Sequence, residues 1–577
     1  MSFLQRVQQL PRLGLGVSTE YGAGDVAGAL DPQALRDHNP RYGGFLEVGV
    51  ELARGLDRHA RAWAARGQPT TYHFLDINLD EPADFDARWL DGVRATIAAL
   101  QPAWLCGDAG MWHVGRRDRG HMLLLPPILV EEQIGPMAEG IARLREATGL
   151  EVLPENPPGA AFVGDLHILD FFGRLAEAAD TGLLLDCAHL ALFQRMRGLD
   201  PLTALDGFPL DRVVELHVAG GTESEHAGLP WVDDDHGVDV LPETWRIVEH
   251  VAARAPNLKA VVVECERNAL PAALPLFSET DRRLRAAQRD GGAPGQPAAL
   301  PGPTGPAAPD TAEPRDVHAL QHAMARMLYD PAFVTRVYAG ATPGLTEAER
   351  RLLTQVDRRA WGTDPYRRGR GVHALLEEFP VTGAILGLPA VDAFFSSDAF
   401  AAVLTGRGSL ALAFGDWAAQ AGGGPALLEA AIARARRAEA RPGAGICTRP
   451  GVEPVGLPPA TLERYGRLRA ALGPDPVASL AEGRRAPRSR KSKRGKRRQG
   501  TEWLVVQRDA AGEVQVGGGS ASLARLLEGC AAPRPRAAVA ASAQALGCTP
   551  TEAEALVDEL LAEGLLVHIP SASTASG

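Results

Sequence analysis

The sequence predicts an α/β fold, a (β/α)8 or TIM barrel over residues 1–285, followed by two smaller domains. Runs of β-type residues alternate here with stretches of helical period, which is typical of parallel βα units. Eight such runs fall within about 250 residues, the usual size of a TIM barrel. The whole chain has 577 residues, too many for a single hydrophobic core, so further domains are expected.

Each candidate strand is a short β-type run bounded by polar or turn residues. The eight candidates are Leu13–Ser18, Phe45–Val50, Thr71–Ile77, Ala103–Gly107, Glu151–Glu155, Gly182–Asp186, Val213–Val218 and Ala260–Cys265. Helical patterns separate most of them, at Asp84–Leu100, Gly135–Thr148, Asp165–Ala179 and Pro242–Ala255. An open doubly wound sheet is the alternative, but no GxGxxG motif opens the first unit.

The remainder of the chain divides by composition. Residues 286–314 are rich in Gly, Ala and Pro and are predicted to be a linker. Residues 315–475 have apolar positions at helical spacing and predict a mainly helical domain. Residues 476–500 are a second, basic linker, since ten of the fifteen residues from Arg484 to Arg498 are Lys or Arg. Such a run is expected to be disordered and to attract polyanions.

Residues 501–568 predict a small α+β domain that resembles a winged helix. A hairpin over Glu502–Val516 is followed by three helical stretches and a short final strand, and residues 569–577 are expected to be a disordered tail. Winged helices bind nucleic acid or peptides. The helices here lack a basic face, and the basic linker has no interleaved aromatic residue, so nucleic acid is disfavoured as the partner.

The composition excludes several classes of protein. The hydrophobic share of 45% and the charged share of 23% are those of an ordinary globular chain. No apolar run reaches the roughly 18–20 residues that a membrane span needs. The first residues lack the apolar core of a signal peptide. The six cysteines never form a CxxC pair and are expected to be reduced thiols. We therefore expect a cytoplasmic protein with no membrane partner.

Carboxylates and imidazoles recur at the ends of successive predicted strands. Nine residues form the primary ligand set: His73, Asp108, Glu155, Asp186, His189, His217, Asp234, His236 and Glu264. Four more are further candidates: Glu47, His113, Asn156 and Glu266. In a TIM barrel these strand ends meet at one mouth. So many acids there would repel one another unless cations neutralised them. The set exceeds the needs of one ion, so two or three metals are expected.

A structural role for each residue, taken singly, competes with this interpretation. A lone histidine at a strand end is usually a hydrogen-bonded structural residue, and Glu155 before Asn156 would suit a helix cap. Glu266 would suit a surface pair with Arg267. The same chemistry at six successive strand ends is hard to explain by independent structural needs, which favours metal binding for the set as a whole.

The order of these motifs resembles a known family. Leu153-Pro154-Glu155-Asn156-Pro157, Leu216-His217-Val218-Ala219-Gly220 and Val261-Val262-Val263-Glu264 are similar to the multinuclear non-haem iron-dependent oxidative enzymes (MNIO). These belong to the xylose-isomerase-like barrels, which include endonuclease IV. The resemblance covers residues of about 10–285. It implies two or three irons, dioxygen as co-substrate, and a ribosomally made precursor peptide modified commonly at cysteine.

The resemblance also bears on the other domains and has two departures. Residues 315–475 are similar to the helical partners of such enzymes, and residues 501–568 to a peptide-recognition domain. Asp108 is followed by Ala109-Gly110 where the family usually has His-Leu, so His113 is a candidate replacement. Ala188-His189 stand where the family often has paired asparagines.

Four functions are compatible with the ligand set. The first is an iron-dependent oxidation of a peptide. The second is a sugar isomerase or epimerase using another divalent ion such as zinc or manganese. The third is an endonuclease IV-like phosphodiesterase, and the fourth is a metal-loaded scaffold without catalysis. The appended domains favour the first over the second, because a small sugar needs no recognition module. The acidity of the barrel disfavours the third.

Overall fold

Eight parallel strands close into a barrel in this computed structural model, which describes residues 1–121, 123–289, 315–362, 365–483, 500–509 and 512–570. The strands of the barrel sheet are β1 (Gly14–Thr19), β2 (Leu46–Val50), β3 (Thr70–Phe74), β4 (Leu105–Asp108), β5 (Val152–Glu155), β6 (Leu183–Asp186), β7 (Val213–His226), β8 (Leu229–Gly237) and β9 (Ala260–Glu264). The eight parallel strands have the order β6-β5-β4-β3-β2-β1-β9-β7, and pairing of β6 with β7 closes the ring. The ninth strand, β8, pairs antiparallel with β7. Each of the eight strands predicted from the sequence is therefore confirmed.

Helices surround the strands and bury their outer faces. They are α1 (Phe3–Arg6), α2 (Pro32–His38), α3 (Arg58–Ala64), α4 (Ala87–Leu100), α5 (Glu131–Thr148), α6 (Ile168–Ala178), α7 (Cys187–Met196), α8 (Pro242–Ala252) and α9 (Leu270–Arg289). Every residue of β3 and of β9 is buried. Burial on both faces explains why residues 260–263 of β9 are a continuous apolar run rather than an alternating one.

Apolar side chains close the N-terminal end of the barrel. Phe3 and Val7 pack there against Phe45, Trp104 and Val214, and all five are fully buried. Phe45 and Trp104 immediately precede β2 and β4, so this plug lies where the strands begin. The opposite end, where the strands finish, is left for polar side chains.

A helical segment follows the barrel and belongs to the same compact unit, residues 1–371. Its helices are α10 (Val317–Tyr329), α11 (Pro331–Tyr338), α12 (Glu347–Gln355) and α13 (Pro365–Glu378), the last of which continues past the end of the unit. Arg315 anchors the segment, with its guanidinium 2.7 Å from Glu132 and 2.6 Å from Asp165. A buried hydrogen bond of 2.7 Å joins Gln321 to Asp80 on the barrel.

Residues 372–577 form a second unit of helices and two small sheets. Its helices are α14 (Pro380–Leu386), α15 (Leu388–Phe394), α16 (Asp398–Thr405), α17 (Leu410–Arg436), α18 (Thr461–Leu472), α19 (Pro476–Ala481), α20 (Ala521–Gly529), α21 (Arg536–Ala545) and α22 (Pro550–Ala562). Its strands are β10 (Gly445–Thr448), β11 (Val452–Leu457), β12 (Glu502–Arg508), β13 (Val514–Gly518) and β14 (Leu566–Ile569).

The predicted hairpin of the C-terminal region is present as β12 and β13, but it is part of a larger sheet. β12 lies between β11 and β13, and β10 pairs with β14. Strands from the predicted helical region 315–475 thus pair with strands of the predicted domain 501–568. The sequence did not predict this connection, because β10 and β11 are short runs in a mainly helical region. Of the two hairpin strands, only β13 therefore lies at an edge of the three-stranded sheet. The division into domains at 475 and 501 remains a prediction, as does the winged-helix assignment.

Several predicted segments fall partly or wholly outside the described residues. α9 continues to Arg289, so the first four residues of the predicted linker 286–314 are helical, and residues 290–314 lie outside. The basic run 484–498 and residues 571–577 of the tail also lie outside. Within the described part of the chain, no single helix is long and apolar enough to cross a membrane, although α15 and α16, bent by 46°, together meet that length and composition.

Candidate metal centre

The ends of the barrel strands surround a cavity lined by acids and imidazoles. Seven of the nine residues of the predicted primary set line it: His73, Asp108, Glu155, His189, Asp234, His236 and Glu264. The other two, Asp186 and His217, are completely buried and contact lining residues. Nδ1 of His217 is 3.2 Å from Glu155 and 3.1 Å from Glu264. The structure therefore brings all nine residues together.

Close packing of neighbouring strands fixes the position of Asp108. Gly107 precedes it with φ of +151°, and a Cβ at this position would lie 2.7 Å from both the ring and the carbonyl oxygen of Phe74. Only glycine fits this approach of β4 to β3. The backbone register then pairs Asp108 with Glu155 on β5, so the two carboxylates stand side by side.

Asp234 and His236 reach the site on a β-hairpin, although the sequence offered no candidate strand between Val218 and Ala260. β7 continues beyond the barrel to His226, and β8 returns antiparallel to it. The acidic residues of β8 obscured the strand in the sequence. Gly220 permits the close approach of the two strands, because a Cβ there would lie 2.5 Å from the carbonyl oxygen of Gly237.

Two overlapping clusters share Glu155. The first consists of His73, Asp108 and Glu155, and the second consists of Glu155, Asp186 and His189. In each, the ligand atoms lie within 4.8 Å of one another. Nε2 of His73 is hydrogen-bonded to Glu155 at 2.8 Å. His189 contacts Asp234 through Nε2 at 3.0 Å, which connects this part of the site to the hairpin.

Two further clusters lie around His217 and His236. Glu47 and Glu264 flank His217, with Nε2 3.0 Å from Glu47. Glu20 and Glu266 flank His236, with Nδ1 3.1 Å from Glu266 and 3.6 Å from Glu20. Glu47 and Glu266, two of the further candidates, are thus placed among the ligand groups. The alternative role of Glu266, a surface pair with Arg267, is contradicted only in its location, because Glu266 lies 3.7 Å from Arg267 but is buried.

The other two further candidates have structural contacts instead. Nε2 of His113 is 3.0 Å from Asp84, and both residues are buried away from the cavity lining. The side chain of Asn156 bridges β5 to β6, since it donates to the carbonyl oxygen of Asp186 and accepts from its N–H, both at 3.0 Å. The backbone oxygen of Asn156 lies 2.9 Å from Nδ1 of His189 and so orients that ring.

Several buried polar atoms of this site make no hydrogen bond of good geometry in the described residues, although the ring nitrogens of His217 lie close to carboxylates. They are Nδ1 of His73, Oδ1 of Asp108, Oδ2 of Asp186, both ring nitrogens of His217, Oδ1 of Asp234 and Oε2 of Glu264. Buried polar atoms are almost always paired in native proteins. Imidazole nitrogens and carboxylate oxygens are the donors that divalent transition metals accept. The residues present therefore fit divalent metal ions.

The electrostatics of the site reflect a dense group of buried charges. Burial lowers the pKa of His73, but hydrogen bonding to Glu155 and the charges of Glu47, Glu155 and Asp108 raise it to about 10. Burial raises the pKa of Asp186 to about 7 against the opposing effect of His189, and Glu264 raises it further. Burial likewise raises the pKa of Glu20 to about 7. In the absence of cations, the buried acids and imidazoles therefore reduce their mutual repulsion by sharing protons. Bound cations would balance the negative charge instead.

Backbone conformation sets the cavity apart from the rest of the fold. Nine non-glycine residues in the described part of the chain have positive φ, and three of them, Tyr21, Leu124 and His236, line this cavity. Such conformations cost of order 1 kcal/mol each and collect at functional sites. The carbonyl oxygen of His236 accepts a hydrogen bond of 2.9 Å from Asn268, which holds the strained backbone.

Sequence reasoning missed three charged residues of the cavity. Glu20 stands one residue beyond the end of β1. The rule that strand ends meet at one mouth, applied to β1 as well, predicts it. Arg267 follows Glu266 after β9. Arg370 lies in α13, more than 100 residues after β9, and no sequence signal connects it to the barrel.

The barrel also matches known proteins. Residues 30–288 match the family described as RiPP precursor modification enzyme MbnB/TglH/ChrH, RiPP denoting a ribosomally made, post-translationally modified peptide. The match covers the barrel region of the chain. The resemblance to the MNIO enzymes is thereby confirmed.

Relatives of the chain include bacterial UPF0276 proteins. A UPF0276 protein of Neisseria meningitidis serogroup B is 26% identical over 244 residues, covering 42% of this chain and 81% of the relative. One from Nitrosospira multiformis is 27% identical over 254 residues, covering 43% and 83%. Among solved structures, 3-keto-D-glucoside 4-epimerase from E. coli covers 48% of this chain and 100% of its own, with a TM-score of 0.29 and 13% identity.

Proposed function

We propose that this protein is a multinuclear iron enzyme that uses dioxygen to oxidise a ribosomally synthesised precursor peptide, at cysteine. One observation carries the proposal: a barrel that matches the RiPP-modifying family holds four groups of buried carboxylates and imidazoles, and three of these groups contain unpaired ligand atoms. Ferrous iron is suited to mixed nitrogen and oxygen ligation with positions left open for substrate and oxygen.

Each group of residues would hold an ion in a different part of the mouth. Glu47, His217 and Glu264 would hold one, and Glu20, His236 and Glu266 a second. The clusters that share Glu155 would hold a third, with His73, Asp108, Asp186 and His189 as its donors. When bound, iron would supply the one-electron chemistry and oxygen activation that no side chain of the chain provides. A substrate thiol would be drawn to such ions, since thiolate is a strong soft ligand.

The remaining residues of the site would orient these donors. Asn156 fixes the backbone of Asp186 and the ring of His189. The hairpin places Asp234 against His189 and His236 against Glu266. With orienting hydrogen bonds of this kind, ligands keep their positions before a metal binds.

We also propose that residues 501–568 bind the leader of the precursor peptide. β13 forms an edge of its three-stranded sheet, and its residues 514–518 are half-buried or exposed. An extended peptide can add to such an edge through backbone hydrogen bonds. The ten basic residues of 484–498 would attract an acidic leader, more strongly at low salt.

The proposal is tested on full-length protein purified without oxygen. We expect two or three irons per chain by elemental analysis, and oxygen consumption with the short peptide encoded beside the gene. The product should carry an oxidative mass change at cysteine. Stoichiometric zinc with no activity gained on iron loading would contradict the proposal. Turnover of a sugar with manganese or zinc would favour an isomerase or epimerase instead.

A further inference from the structure

Two arginines line the mouth of a cavity whose other charged groups are mostly acidic. Arg267 follows β9, and Arg370 comes from α13 of the helical segment. Five carboxylates, those of Glu20, Asp108, Glu155, Asp234 and Glu264, share the same lining. Neither arginine was part of the predicted ligand set, and guanidinium groups do not ligate metals because they have no lone pair to donate.

The position of Arg370 is set by an aromatic contact. Its guanidinium carbon lies 5.6 Å from the centroid of the Tyr21 ring. Tyr21 in turn packs against the buried side chains of Leu75, Trp112 and Leu124. Stacking of this kind suits arginine better than lysine, since the guanidinium is planar and weakly hydrated. Arg370 is thereby directed to one side of the mouth.

The helical segment that carries Arg370 is attached to the barrel at several points. Arg315 bridges Glu132 and Asp165, and Gln321 binds buried Asp80. Arg359 donates a hydrogen bond of 2.7 Å to the carbonyl oxygen of Gly228, at the tip of the hairpin that carries Asp234 and His236. The segment therefore holds the hairpin and adds Arg370 to the same mouth. It lies beyond the residues 30–288 that match the family.

Charge balance indicates what the two arginines face in the loaded enzyme. Arg267 is 3.7 Å from Glu266, and Arg370 lines the same cavity as Asp234. Metal ions bound among the carboxylates would balance much of their negative charge. The guanidinium groups at the mouth would then offer their donors to an anion entering from solvent. The side chain of Arg267 is already 43% exposed.

We propose that Arg267 and Arg370 together bind a carboxylate of the peptide substrate, next to the residue that is modified. The inference rests on the proposed function for the nature of the substrate. Planar guanidinium groups bind carboxylates through paired, charge-assisted hydrogen bonds, which fix orientation as well as affinity. The carboxylate has two sources, an acidic side chain adjacent to the cysteine or the C-terminus of the peptide. Both arginines are positioning residues in this role.

Binding of four small probes to the full-length, iron-loaded protein without oxygen tests the proposal. The probes are acetyl-Cys-Asp-amide, acetyl-Cys-Asn-amide, acetyl-Cys and acetyl-Cys-amide, measured by calorimetry. We expect one carboxylate probe to bind roughly tenfold more tightly than its neutral partner, as for a charge-assisted hydrogen bond. The pair that shows the preference identifies the source as a side chain or a C-terminus.

Variants assign the preference to the arginines. Arg370→Gln and Arg267→Gln should each remove most of it and leave the neutral probes unaffected. Arg370→Lys, which keeps the charge but loses the paired donors, should retain part. Arg368→Gln is the matched control, since Arg368 lies on the same helix, does not line the cavity, and donates to the carbonyl oxygen of Tyr329. It should bind all probes as the wild type does.

Three results would overturn the inference. They are equal binding of charged and neutral probes, equal effects of Arg370→Gln and Arg368→Gln, and a loss of metal in Arg370→Gln that accounts for its weaker binding. Repeating the titrations with zinc-loaded protein separates this inference from the proposed function. A carboxylate preference that depends on Arg370 there, in a protein that gains no peptide oxidation when iron replaces the zinc, would support the arginine pair and refute the oxidation.

Discussion

Glu264→Gln should remove one metal ion from the site without disturbing the barrel. Glu264 ends β9, is buried, and contacts Nδ1 of His217 at 3.1 Å, while its Oε2 has no hydrogen-bond partner in the described residues. The amide has the same shape as the carboxylate but lacks its charge and one acceptor. Loss of a partner that merely orients a ligand costs roughly 10–100-fold in metal affinity. Loss of a ligand should cost more.

The matched control for this variant is Glu215→Gln. Glu215 is equally buried, lies two residues from His217 on β7, and accepts a hydrogen bond of 2.6 Å from Trp104. Burial, with the charge of Glu47, raises its pKa to about 8. It is therefore neutral near pH 7, and an amide replaces it with little electrostatic change. Glu215 does not line the cavity, so the control should keep its full metal content.

The assay is elemental analysis of both variants after anaerobic purification, with iron titrated against a competing chelator and folding followed by circular dichroism. Glu264→Gln should hold one ion fewer than the wild type, and His217→Ala should behave in the same way. Full metal content in Glu264→Gln would refute the ligand assignment. A further group of possible ligand atoms consists of Glu47, Cys106 and Glu215, all buried. Equal loss of metal in Glu215→Gln would show that this group also belongs to the metal site.

Further predictions concern the backbone, pH dependence and peptide binding. Gly107→Ala should destabilise the barrel by about 1–3 kcal/mol in urea unfolding and lower metal content, because its Cβ meets Phe74. Burial lowers the pKa of His167, whose Nδ1 caps α6 by accepting from Leu169. The neutral histidine therefore stabilises the fold above a pH of about 6.5, the ordinary pKa. This stabilisation is lost as the pH falls toward the lower pKa of the folded state, because the unfolded chain binds the proton first. His167→Asn, which keeps a capping side chain, should flatten that loss in urea unfolding from pH 7 to 5, whereas exposed His38→Asn should not. Addition of the precursor peptide should slow amide exchange at residues 514–518 if β13 is the docking edge, and protection confined to the barrel would contradict leader binding by the C-terminal region.

Local patterns were sufficient to predict the barrel. The strands are short, mostly buried runs, of which Ala260–Glu264 is the most apolar example, and their period and length differ from those of the helices around them. The ligand set followed from one further rule, that parallel strand ends meet at a common mouth. That rule depends only on which residue ends a strand, so it placed Asp108, Glu155 and Asp186 correctly beside one another.

Residues whose position depends on tertiary contacts could not be predicted in this way. The five-residue spacing of His113 from Asp108 suggested a replacement ligand, but the chain turns after β4 and pairs His113 with Asp84. The strands β10 and β11 need partners from 566–569 and 502–508, more than 40 residues away. The position of Arg370 depends on how the whole helical segment packs against the barrel. No local sequence pattern predicts that contact.

The hairpin of β7 and β8 connects the metal site of the barrel to the helical segment. It carries Asp234 and His236 into a site where His236 has the strained φ of +52°. Strain of this kind persists only where surrounding contacts over-determine the conformation. Asn268 holds the hairpin from the barrel side, and Arg359 of the helical segment holds its tip at Gly228. The helical segment therefore has two roles at the mouth: it supports the ligands of β8, and it contributes the guanidinium of Arg370. A change that loosens the segment, such as Arg315→Ala, should weaken both, and hydrogen exchange in residues 229–237 should rise together with exchange in residues 315–338. Faster exchange in the segment alone would show that the hairpin keeps its ligands in place without it.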